Sequence, residues 1–289
     1  MSSSARSGRA VLGGLAGVAV TVAMATVPAA PAAADPPGLV KVGVNSARNS
    51  VDKAVTASCP AGTVVTGGGG YLAASNSAWG HVGIERFEPL AGGTGFVVTM
   101  REAGSVDFPD DWTLTGQAVC APAPAGWQVV ATTGPAESQY VTASCGTKRV
   151  IGMGGRINGG GAGDVLLDQV VPAADLRSVT ARGVAVPGSG PPAGWSVTAY
   201  AICATNPAGL ERISVSTSPD ATGHAGVSQS CPAGKALYSA GADIVAGNGA
   251  VLLSGVNIID SDTTSAWADE YDGGPSNAWS FLGYGICGS

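Results

Sequence analysis

Three copies of one pattern run through this chain, and the repetition constrains its fold more than any other feature. The copies open on Val-Thr-Ala-Ser-Cys59-Pro-Ala-Gly, Val-Thr-Ala-Ser-Cys145-Gly-Thr-Lys and Val-Ser-Gln-Ser-Cys231-Pro-Ala-Gly. Each then passes a small-residue stretch, Gly67-Gly-Gly-Gly70, Gly152-Met-Gly-Gly155 and Ser239-Ala-Gly241, and an apolar run. Each closes on Trp-x7-Cys, at Trp112 to Cys120, Trp195 to Cys203 and Trp279 to Cys287. An upstream strand motif recurs as well, so the units divide at residues 39–125, 126–209 and 210–289. Units of roughly 80 residues bury too little surface to be robust alone. The connectors, Ala121-Pro-Ala-Pro-Ala-Gly126 and Ala204-Thr-Asn-Pro-Ala-Gly209, are short and punctuated by Pro and Gly. Packed units are therefore expected rather than units on flexible tethers.

Composition assigns the class. Of 289 residues 45 are Gly and 18 are Pro, and only 12% are charged. Long helices draw on other residues, and disorder requires more charge and less apolar content than the 45% found here. The chain reads as all-β. Alternation and Gly breaks in the first unit predict strands near 40–45, 53–59, 63–73, 81–88, 95–102 and 112–120. In the closing strand Trp112, Leu114, Gly116, Ala118 and Cys120 share one face, and the same parity places Trp195 and Trp279 inward. The expected architecture is three pseudo-symmetric, disulfide-stapled β repeats in a β-prism-like arrangement, with three tandem small β-sandwiches as the alternative.

Residues 1–34 carry Arg6 and Arg9, an apolar run from Ala10 to Val27 and small residues before Asp35, the pattern of a cleavable secretory signal peptide. The mature chain is expected to be secreted, extracellular and not inserted in a membrane after cleavage. All six cysteines lie in it, which argues for three disulfides. Two pairings respect the repeat. One closes each unit (Cys59 with Cys120, Cys145 with Cys203, Cys231 with Cys287), and the other links successive units. The first is favoured because end strands of a small β unit commonly pair and each closed loop removes about 4 kcal/mol of unfolded-state entropy. Net charge is −6, and −8 once the two leader arginines leave, which disfavours a nucleic-acid partner.

On the Ser-Cys-Pro-Ala-Gly, Gly-Gly-Gly and Trp-x7-Cys elements the chain resembles the secreted actinobacterial proteins that carry such repeats. In pattern it is also similar to the vitelline membrane outer layer protein I β-prism, through Cys59-Pro-Ala-Gly62 and Cys231-Pro-Ala-Gly234. Cys145-Gly-Thr-Lys148 departs from that element, and the cysteines here are more widely spaced. The resemblance implies a threefold β architecture with surface or saccharide-associated roles and carries over no catalytic residue.

Chemistry is sparsely signalled. His81 and His224, the two histidines, do not recur at equivalent repeat positions and read as surface loop residues, and no Gly-x-Ser-x-Gly elbow is present. Ser58, Ser144 and Ser230 recur beside cysteines, which suits a structural hydrogen bond. Carboxylates cluster at Asp107, Asp110 and Asp111 and again at Asp260, Asp262, Asp269, Glu270 and Asp272. Such loops are mostly solvated, though oxygen clusters can hold calcium (Asp260, Asp262 and Asp269 are the candidates) and paired carboxylates can serve a glycosidase. No other cofactor is indicated. Trp112, Trp195 and Trp279 match across repeats and belong to the core, while Trp127 is expected to cover one end of the fold. Trp79 and Trp267 are unmatched and flanked by small polar residues, as aromatic platforms for sugar rings often are. Tyr71 and Tyr271 share that ambiguity. The expected function is a secreted, non-catalytic protein binding polysaccharide or cell-surface material through Trp79, Trp267 and Tyr271, with threefold repetition multiplying weak contacts. The alternatives are a secreted hydrolase using an acidic loop and a protease-inhibitor or other protein-binding scaffold.

Overall fold

The computed structural model describes residues 38–73, 78–104, 107–161, 163–219, 221, 223–271, 274 and 278–289. The expected leader and Asp272 lie outside them. Each repeat supplies six strands. The first gives β1 (Val40–Asn45), β2 (Lys53–Ser58), β3 (Val64–Ala73), β4 (Val82–Pro89), β5 (Gly95–Glu102) and β6 (Thr113–Ala121), within a residue or so of the predicted strands. The second gives β7 (Gln128–Thr133), β8 (Tyr140–Ser144), β9 (Arg149–Asn158), β10 (Val165–Pro172), β11 (Ser178–Ala185) and β12 (Ser196–Ala204). The third gives β13 (Glu211–Ser216), β14 (His224–Ser230), β15 (Ala236–Val245), β16 (Val251–Ile258), β17 (Thr263–Glu270) and β18 (Ser280–Gly288).

No sheet belongs to one repeat, which excludes the tandem-sandwich alternative. Sheet A runs β1-β6-β3-β16-β17-β14, sheet B runs β2-β5-β4-β9-β12-β7 and sheet C runs β13-β18-β15-β10-β11-β8. Every repeat places three strands in one sheet and three in the next. The halves join antiparallel at equivalent central pairs, Tyr71 with Gly255 in sheet A, Arg156 with Arg86 in sheet B and Asp243 with Gln169 in sheet C. The result is a three-faced prism.

The small-residue stretches explain how the faces meet. In β3, β9 and β15 the ladder skips one residue at Thr66, Ile151 and Tyr238, a bulge that turns each strand toward its equivalents. A Cβ on Gly152 would lie 1.8 Å from the Thr66 carbonyl oxygen, and one on Gly67 would lie 2.5 Å from Ser239 Cβ. Backbones touch there, so no side chain fits. Ser239 is accommodated in the third repeat, where its Oγ accepts a hydrogen bond from the Met153 N–H at 3.2 Å.

The inward parity holds: Trp112, Leu114, Ala118, Cys120, Trp195 and Trp279 are buried in one continuous apolar core with Phe87, Phe96 and Phe281. The opposite side of the closing strands is drier than simple alternation predicts, since Gln117, Tyr200 and Tyr284 are also buried. In sheet A the reason is visible: the Gln117 amide lies down over Gly69, where no side chain stands between. Each disulfide closes its own repeat, Cys59–Cys120, Cys145–Cys203 and Cys231–Cys287, as favoured from the repeat. The Cys145-Gly-Thr-Lys departure is a turn one residue shorter. Gly62 and Gly234 take positive φ late in the longer turns, while Gly146 takes it directly after the cysteine. Trp127 packs over Gly93 and donates from Nε1 to the Val65 carbonyl at 3.0 Å, closing one margin of the core. Three disulfides are those of a chain that matures in an oxidising environment, and among the described residues no helix is long and apolar enough to cross a membrane.

Candidate functional site

The three outer faces share one backbone lattice and differ in what occupies it. A bulge in β4, β10 and β16 sets Glu85, Asp168 and Ser254 at equivalent points, and bulges commonly re-aim a side chain in this way. On sheets B and C these points are closed by charge. Arg101 Nε meets Glu85 Oε2 at 3.0 Å and Arg101 Nη1 meets Asp52 at 2.7 Å, while Arg182 Nη1 meets Asp168 Oδ2 at 3.0 Å. Burial raises the Asp168 carboxyl to about 7 even though Arg182 opposes the shift, and burial raises Glu85 and Asp243 as well.

Sheet A is different. One row crosses all six strands through Asn45, Thr115, Tyr71, Gly255, Trp267 and Gly226. Gly255 is required by close approach, because a Cβ there would lie 2.3 Å from the Trp267 ring. The indole lies across that gap with Tyr71 edge-on to it, centroids 5.6 Å apart. Trp267 Nε1 is buried without a hydrogen-bond partner. In the next row the Gln117 amide donates to Asn257 Oδ1 at 3.1 Å and to the Ile258 carbonyl at 3.0 Å, and accepts from the Ile258 N–H at 2.8 Å. It extends the ladder where β3 and β16 part, and the row continues through Ser265 and Ser228.

At one end of the face Trp79 stacks on His224, centroids 4.4 Å apart and planes 13° from parallel. His224 is not a loop residue: it opens β14 opposite Asp269. Its Nδ1 lies 2.6 Å from Asp269 Oδ1, and Ser254 Oγ donates to Asp269 Oδ2. The Asp269 side chain is 3% exposed and that of His224 is 42% exposed. These are the residue types of a hydrolytic triad in the wrong order. The serine hydroxyl is committed to the carboxylate and not presented to the imidazole, so no base stands ready to take its proton. The arrangement instead fixes the imidazole plane on which Trp79 lies.

The sequence candidates therefore separate. Trp79, 36% exposed, and Trp267 belong to one face, linked through His224 and Asp269. Tyr271 packs at the prism end beside Ala103, Leu166, Val186 and Leu252. Asp260 and Asp262 share the turn before β17, on the order of 20 Å along that strand from Asp269. Although burial pulls the other way, hydrogen bonds from the Asp262 and Thr263 N–H groups hold Asp260 below its ordinary pKa. Among the described residues no cluster of three or more His, Cys, Asp or Glu is arranged to hold a metal ion.

The other acidic loop borders a cleft of about 450 Å³ lined by Asp52, Glu102 and Asp107. Two of these carboxylates are already used. Glu102 accepts from the Phe108 N–H at 2.9 Å and from Trp112 Nε1 at 3.3 Å, and Asp52 accepts from Arg101 and from the Glu102 N–H. Asp107, Asp110 and Asp111 are exposed. His81 stacks on Phe108, centroids 4.8 Å apart. Gln117, Asn257, Ser254 and His224 are the members of the sheet A face that the sequence does not announce. Their common signal is a mismatch between repeats: Gln117 stands where the others have Tyr200 and Tyr284, and Ser254 stands where they have acids. No protein-family model matches the chain, and no curated protein matches it in sequence.

Proposed function

We propose that this is a secreted, non-catalytic binding protein whose sheet A face takes neutral polysaccharide or cell-surface glycan. The observation that carries the reading is the contrast in occupancy: where sheet C sets Arg182 against Asp168 and sheet B sets Arg86 opposite Arg156, the central row of sheet A presents Trp267 and Tyr71, with an amide pair and hydroxyls in the next row. A broad, weakly charged face with an aromatic plane suits the apolar faces and multiple hydroxyls of sugar rings. Trp79, stacked on His224, extends the aromatic surface at one end. The residues are not repeated on the other faces, so binding rests on one site per chain and not on threefold avidity.

The test is a glycan and insoluble cell-wall polysaccharide array probed with residues 35–289, with and without chelator. The reading expects chelator-independent binding to a neutral glycan, weakened at least about tenfold by Trp267→Ala and less by Trp79→Ala. Hydrolysis of the bound glycan, or binding indifferent to both substitutions, would sink it.

A further inference from the structure

The centre of sheet B carries a second arrangement that the sheet A reading does not use. Arg86 and Arg156 are direct cross-strand partners at the junction of repeats one and two. Like charges set opposite one another on antiparallel strands are destabilising unless something anionic is shared between them. The carboxylate they share is Glu88, which is 3% exposed, pairs with Arg86 Nε and lies 3.6 Å from Arg156 Nη1. Both arginine side chains remain 36% exposed. Glu85 also acts on Arg86 but is held by Arg101, so the two guanidiniums share Glu88 and only part of a second carboxylate.

Two further details fix the group. Glu88 is buried beneath the arginines, with its Oε2 sealed from solvent. The Tyr200 phenol stands against it, pushed well above its ordinary pKa by burial and then by a side-chain hydrogen bond to Glu88, so it stays protonated and holds the carboxylate. Arg156 is also held in place. Its Nε donates to Asn158 Oδ1 at 2.7 Å, and Asn158 is fixed in turn by Ser196 and Thr198, which holds the guanidinium by its Nε edge with Nη1 towards Glu88.

We propose that this face binds the carboxylate of a uronic-acid-bearing saccharide, with Arg86 and Arg156 taking the carboxylate and the Tyr200 oxygen, which donates to Glu88, accepting from a ring hydroxyl. Planar guanidiniums match carboxylate geometry better than point charges do. A sulfate or phosphate dianion fits less well, because it brings no hydroxyl for Tyr200 and adds more negative charge beside Glu88. The equivalent positions on the other faces, Gln169 with Asp243 and Gly255 with Tyr71, offer no such pair. The site is independent of sheet A.

Calorimetric titration of residues 35–289 with trigalacturonate, its neutral galactose counterpart, inorganic sulfate and an acylated dipeptide with a free carboxylate tests the proposal. Saturable one-to-one binding to trigalacturonate is expected, weakened at least about tenfold by Arg86→Lys with Arg156→Lys, which keeps charge but removes the forks. Trp267→Ala should leave it unchanged, so the two sites fail or succeed separately. Should the double variant not fold, Tyr200→Phe, which removes one hydroxyl, is expected to weaken binding about threefold to tenfold. No saturable binding, equal affinity for the neutral trimer, sulfate or the dipeptide, or indifference to these variants would overturn it.

Discussion

The outer faces of sheets A and C are built on the same six-stranded lattice, yet the centre of sheet C carries an ion pair and that of sheet A an aromatic row. At the bulge of β10 stands Asp168 with Arg182 across from it, and at the bulge of β16 stands Ser254, with Trp267 at the position of Arg182. Sheet C spends its central positions on a buried ion pair and on guanidiniums laid over tyrosine rings, Arg212 over Tyr284 at 4.6 Å and Arg182 near Tyr140 at 5.0 Å. Sheet A places an indole over a glycine instead. Backbone repetition supplies the geometry, and single-position mismatches decide whether the centre of a face carries an ion pair or an aromatic row.

The largest effect should come from unsealing sheet C. Arg182→Met removes the partner of a carboxylate that is almost fully buried, and at about pH 9, where Asp168 is ionised, is expected to cost about 3 kcal/mol, read as a drop in denaturant midpoint without loss of glycan binding. The same carboxylate makes stability pH-dependent. An unfolded Asp titrates near 3.9, whereas Asp168 titrates at about 7 in the fold. The folded state therefore holds its proton more tightly. Its contribution is fully present below about pH 4 and is lost as pH rises through about 7, on the order of 4 kcal/mol in all. Asp168→Asn should remove that fall in a series of denaturant melts, and a slope unchanged by the substitution would show that Asp168 is not its source.

Sheet A should respond in the opposite sense, with binding more than stability. Gly255→Ala forces a methyl to within 2.3 Å of the Trp267 ring, so the indole must shift. A loss of about 1–3 kcal/mol is expected, together with a changed tryptophan emission spectrum and weakened glycan binding. Trp267→Ala is expected to cost only about 1–2 kcal/mol, because the ring is half-buried and not in the core, while removing most of the binding. Equal stability losses from Arg182→Met and Trp267→Ala would erase the distinction between the faces.

Much of this architecture is legible in the sequence because disulfide spacing, strand alternation and the Trp-x7-Cys closers are local signals copied three times. The sharing of each sheet between two repeats is not legible, since the joining pairs, such as Arg86 with Arg156, are far apart in the chain and carry no common residue type. The site divides along the same line. Trp79 and Trp267 stand out as residues the repeat does not predict. His224 is obscure because its meaning depends on facing Asp269 across β14 and β17, a register that cannot be read from one strand. Tyr271 looks like Trp267 in composition and context, but the turn after β17 carries it to the prism end. The calcium candidates share a sequence neighbourhood, and an extended strand then separates Asp262 from Asp269.

The most direct test of the central claim, that the open face of sheet A is the binding surface, is a side-by-side sedimentation assay of wild type, Trp267→Ala and Arg182→Met on insoluble neutral polysaccharide, at a temperature where all three are folded. Retention of wild type and Arg182→Met with loss of Trp267→Ala is the predicted result. Equal retention of all three, or loss confined to Arg182→Met, would contradict it.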